Sequence, residues 1–162
     1  MLIGLAAILS MPALAKPDCY TPAELHAEQF LRLHSELMVT AYSCKRSSEN
    51  VDLISAYTAF TQNNLVDLQK ADKVMLGFFK ARDGDDGIAQ LDDMHTKLAN
   101  AAGQIIADQS LEIFCDNNRN RPVSLYFATP KELQEELKNM AAMTKSYRPL
   151  CKTAGHMDKA AR

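Results

Sequence analysis

The sequence carries almost no excess charge, since 18 Lys and Arg stand against 20 Asp and Glu for a formal −2 over 162 residues, and it has no basic run. A nucleic-acid binder would need a basic face, so nucleic acid is not an expected partner. Catalytic signatures are missing as well. There is no H-E-x-x-H, no G-x-S-x-G and no glycine-rich phosphate loop, which leaves an enzyme without motif support. The cysteines show neither C-x-x-C nor C-x-x-C-H spacing, against a cysteine-ligated zinc site and against haem c. No Asn-x-Ser/Thr acceptor occurs, a pattern compatible with bacterial export. No apolar run reaches the roughly 20 residues that cross a bilayer. Period-two runs of strand-forming residues are also lacking, apart from "PVSLYF" at 122–127, which reads as an extended crossing segment.

What is present begins with "MLIGLAAILSMPALA", fifteen uncharged and mostly apolar residues that close on Ala13-Leu14-Ala15. Small residues spaced in this way are what a signal peptidase cuts after, so residues 1–15 read as a cleaved signal. The basic residue expected near the start of such a signal is absent, which keeps a retained anchor as the alternative. Cleavage would leave 147 residues, enough for a single domain with its own core, and 16–162 is taken as that domain with 152–162 a disordered tail. The expected location is periplasmic or secreted, with no stable membrane insertion once the signal is removed.

Four helices are expected in the mature chain. The first starts at "TPAE", where Thr21 caps, Pro22 takes the first helical position and Glu24 completes a capping box, and it runs to Cys44. "TPKEL" at 129 repeats the device and opens a helix to about Tyr147. Between them lie two helical patterns of roughly thirty residues each, 50–81 and 87–115, separated by "RDGDDG". On the first, Ile54, Thr58, Thr61, Leu65, Leu68, Asp72, Met75, Leu76 and Phe79 share a face. On the second, Ile88, Leu91, His95, Leu98, Ala102, Ile105, Ile106, Gln109 and Ile113 do. The aspartate-glycine stretch resembles a calcium loop only superficially: counted from Asp83, it puts Ile88 and Met94 where an EF-hand needs glycine and glutamate, so it is read as a solvated turn.

The four cysteines, Cys19, Cys44, Cys115 and Cys151, then have a geometric solution. A helix of about 23 residues spans roughly 35 Å, whereas a disulfide needs Cα atoms within about 7 Å, so Cys19 and Cys44 cannot join. Short turns make successive helices antiparallel, which sets Cys19 a helix length from Cys115. The remaining pairing is Cys44–Cys115 and Cys19–Cys151. The expected fold is all-α, a four-helix, up-and-down-type bundle stapled by those two disulfides.

Two sets of residues are candidates for function. On the first helix, Glu24, Glu28, Gln29, Arg32, Ser35 and Glu36 gather on one side. The opposite, core-facing stripe holds Ala23, His26, Ala27, Phe30, His34, Leu37, Met38 and Ala41. Helical rise puts His34, Asp72 and His95 at one level, with Met140 nearby on the last helix, a donor set that would suit a transition metal or haem b. Asp92 and His95 form only half of a helical di-metal motif. The competing reading is a His–Asp hydrogen bond that needs no metal. The methionines Met38, Met75, Met94, Met140, Met143 and Met157 could suggest copper, but most fall at core spacing and as adaptable fillers need no functional explanation. The second set is the segment "CDNNRNRPVSLYFATP", where Arg119, Arg121, Tyr126 and Phe127 have the composition of a protein-recognition surface, the equal alternative being that Leu125 and Phe127 cover the open end of the core. The preferred expectation is a non-enzymatic binding protein that takes another protein as partner and carries no cofactor. The alternative is a metal- or haem-binding bundle.

Overall fold

Thr21 and Thr129 begin helices in the same way. Each side-chain oxygen accepts the backbone N–H three residues on, and Glu24 and Glu132 reach back to the N–H groups of Thr21 and Thr129 at 2.8 and 2.7 Å. Both capping boxes expected from the sequence are formed. Residues 17–46 and 52–152 are described by a computed structural model. The leader 1–15 and the tail beyond Lys152 lie outside them. Within them the chain forms α1 (Pro22–Ser43), α2 (Leu53–Asn63), α3 (Leu65–Asp83), a 3-10 turn (Gly84–Asp86), α4 (Gly87–Gln109), α5 (Leu111–Asn118), α6 (Arg121–Tyr126) and α7 (Pro130–Met143).

The protein is all-α and stapled by two disulfides, Cys19–Cys151 and Cys44–Cys115, as the spacing argument requires. It has more helices than the four expected. The second expected helix divides at Asn64, whose side-chain amide donates to the Phe60 carbonyl at 2.9 Å and competes with the helical ladder. The third divides at Ser110, which has φ 77° and ψ 152°, outside the range a helix can hold. The segment read as extended is helical too. Pro122 sits in the first turn of α6, where its missing N–H costs nothing, and with Leu125 it is buried.

The buried faces also differ from those expected. Of the expected face in 54–65, Leu65 is half exposed, and α2 instead buries Leu53, Ala56 and Phe60. In α4 the outer members fail: Ile88 is 63% exposed, while Met94, absent from the expected stripe, is fully buried. The largest correction concerns α1. Its polar side, expected to face water, is covered: Glu24, Glu28, Gln29, Arg32 and Ser35 are all buried, whereas Ala23 and His26 of the supposed core stripe are exposed.

The reason is that α1 is the central helix, with α2, α3, α4 and α7 all packed around it. An ion pair between Asp18 and Arg82 joins the base of α1 to the end of α3, so these two run antiparallel. Leu31, Leu33, Leu37, Phe60, Met75, Phe78, Met94 and Leu137 form the main core, and a smaller cluster of Ala41, Leu53 and Phe114 surrounds the Cys44–Cys115 bridge. The last expected helix stops at Met143, and residues 144–151 continue as a strap across the polar side of α1. Tyr20 N–H donates to the Pro149 carbonyl and Cys151 N–H to the Tyr20 carbonyl, both at 2.8 Å. Under the strap, Glu28 and Arg32 form a buried ion pair. The Tyr147 N–H donates to Glu28 Oε2 at 3.1 Å, and Arg32 Nη2 donates to the Lys145 carbonyl at 3.4 Å.

Candidate functional site

The segment from Cys115 to Phe127 is held against the body by its disulfide and by Arg121. That guanidinium donates to Glu136 Oε1 at 2.6 and 2.9 Å and to Glu36 Oε2 at 2.7 Å, tying α6 to α7 and α1. Burial opposes its charge, but the two carboxylates outweigh that and raise its pKa above the ordinary value. Arg121, expected to contact a partner, is therefore spent inside the fold. Arg119 lies in an ion pair with Asp116 at 3.4 Å near the surface. Tyr126 and Phe127 behave differently. Their rings pack edge to face with centroids 4.5 Å apart, and they are 37% and 74% exposed. Leu125, one residue earlier, turns inward and anchors the turn in the core.

The second candidate set divides in two. His95 Nε2 and Asp72 Oδ1 are 2.9 Å apart, bridging α4 and α3. His34 instead turns to α2, where its Nε2 lies 3.0 Å from the Tyr57 hydroxyl and 3.1 Å from Thr61 Oγ1, with the Tyr57 ring tilted beside it. Burial first, and the neighbouring His95 second, hold its pKa below the ordinary value, while Asp72 pulls the other way. The three residues are near enough to feel one another's charge. Yet no cluster of three or more His, Cys, Asp or Glu suited to a metal exists among the described residues. Met140 is packed in the apolar core, as are Met75 and Met94, whereas Met143 is exposed. Of the residues expected as a metal or haem set, His95 pairs with Asp72, His34 with Tyr57 and Thr61, and Met140 lies in the apolar core. His95 also takes Asp72 as its partner, not Asp92.

All four cysteines are in disulfides, so no thiol is available as a nucleophile. Sequence reasoning also missed Tyr20, whose hydroxyl is wholly buried and has no hydrogen-bond partner among the described residues. Burial, and then the charge of Glu28, push its pKa upward, so the phenol stays neutral. No helix among the described residues is long and apolar enough to cross a membrane. The chain matches no family model, no curated protein and no solved structure.

Proposed function

We propose that this protein is an exported, non-enzymatic interaction module whose partner is another protein, acting as an inhibitor, an immunity factor or an accessory subunit of the cell envelope. Two disulfides support export, because such bonds persist in oxidising compartments. The observation that carries the reading is the Tyr126–Phe127 pair, a large apolar surface set in water on a turn that the Cys44–Cys115 bridge and the Arg121 ion pairs hold rigid. Rigid aromatic side chains bury much area at little entropic cost, and they dominate recognition hot spots. No cofactor enters this reading.

The test places a photo-crosslinking amino acid at Ser124, an exposed position on α6, in protein exported by its native host. A discrete protein adduct is expected, and it should vanish in the Tyr126→Ser, Phe127→Ser double variant while the thermal midpoint barely moves. An adduct that survives in the double variant would remove this turn as the contact surface.

A further inference from the structure

A groove of about 350 Å³ opens between α1, α3 and α7, and neither Tyr126 nor Phe127 lines it. Its origin is legible in the side chains. Ala27 and Ala71 face it from α1 and α3 where larger residues would close the gap, and Phe30, Val74, Leu133 and Leu137 form the remaining apolar walls. A packed bundle normally fills such space, and apolar surface left open to water is unfavourable. The volume falls at the lower end of the range for small-molecule sites, about 300 to 1,000 Å³.

The rim decides what kind of molecule would fit. On one lip Lys70 and Asp67 form an ion pair at 3.3 Å, so that lip has no surplus charge. On the other, His26 Nε2 and Gln134 Oε1 are 3.1 Å apart. Because an amide oxygen can only accept, the imidazole N–H donates, and the Gln134 amide N–H donors are not used by that bond. A charged ligand would leave water for an apolar groove whose rim offers no net opposite charge, and that desolvation is unfavourable.

We propose that this groove is a binding site for a small, uncharged, mainly apolar molecule bearing one hydrogen-bond acceptor, such as a ketone or ester carbonyl, with the acceptor at the Gln134 amide. The site does not depend on the protein-interaction reading, since it draws on different helices.

The test uses 6-propionyl-2-dimethylaminonaphthalene, a neutral naphthyl ketone whose fluorescence shifts to the blue on leaving water, added to the folded, disulfide-intact protein. Saturable binding with a dissociation constant of about 100 µM or tighter is expected from a probe of this size. Ala23→Trp, at an exposed position on the mouth of the groove, should weaken it at least about tenfold with helical circular dichroism unchanged. The Tyr126→Ser, Phe127→Ser variant should bind as the parent does. Anionic 1-anilinonaphthalene-8-sulfonate should bind more weakly than the ketone. Absence of saturation, undiminished binding by Ala23→Trp, or loss of binding in the aromatic variant alone would overturn the site. Tighter binding of the sulfonate would overturn the uncharged class of ligand.

Discussion

Arg32 shows how much a single buried charge can control. Its partner Glu28 is wholly covered, and the pair is completed by backbone groups of the strap at Lys145 and Tyr147. Removing one member of a buried pair leaves the other uncompensated, which typically costs about 3–5 kcal/mol. Arg32→Leu is therefore expected to lower stability by about that amount in urea denaturation, and hydrogen exchange should rise first at Tyr147. His34 makes a pH-dependent contribution. Its folded pKa lies below the ordinary value near 6.5, so the unfolded chain binds the proton more readily. The stability tied to neutral His34 is fully present above the unfolded pKa and is lost as pH falls from there toward the folded pKa. His34→Gln should flatten that part of the stability profile, which lies below about pH 6.5. Neither environment could be read from residue type. A glutamate and an arginine four apart look like a solvated helix pair until a remote segment covers them.

Helix starts were legible because they are local. Thr21 and Thr129 satisfy backbone donors within three residues, a device that needs nothing from the rest of the chain. The turn after α3 was legible for the same reason. Gly84 takes φ 61°, and Gly87 lets α4 begin close beside the end of α3. A Cβ on Gly87 would stand 2.7 Å from the Lys80 backbone nitrogen, so Gly87→Ala should destabilise by about 1–3 kcal/mol, read as a lower urea midpoint at constant slope. Interior breaks were harder to see. Asn64 and Ser110 are tolerated in helices, and a period of 3.6 continues smoothly through both in the sequence. Within α4 the buried line runs through Met94, Leu98 and Ala102, and Ile88 falls outside it. The extended reading of 122–127 failed because its β-forming composition gave way to a proline-started turn that could bury Pro122 and Leu125.

For the whole molecule, the two bridges differ in shelter. Cys44 and Cys115 are 0% and 1% exposed, while Cys19 and Cys151 are only partly covered. Brief treatment with a dilute thiol followed by alkylation should label Cys19 and Cys151 first, and mass mapping checks the order. Loss of the strap bridge should release 144–151 while most of the helical signal remains. Losing the Cys44–Cys115 bridge, which spans a separation of 71 residues, should cost about 4 kcal/mol on the chain-entropy estimate. The pairing itself followed from the sequence, as did the all-α class, since a helix is a rod of known rise and its ends cannot meet. What only tertiary structure decided was which side chains each helix hides. α1 is wrapped on nearly every side, so its amphipathic pattern does not mark an inside and an outside. The candidate site followed the same division. Tyr126 and Phe127 stay at the surface, but Arg121 was claimed by partners 15 and 85 residues away and His34 by partners 23 and 27 away, contacts that no local pattern records.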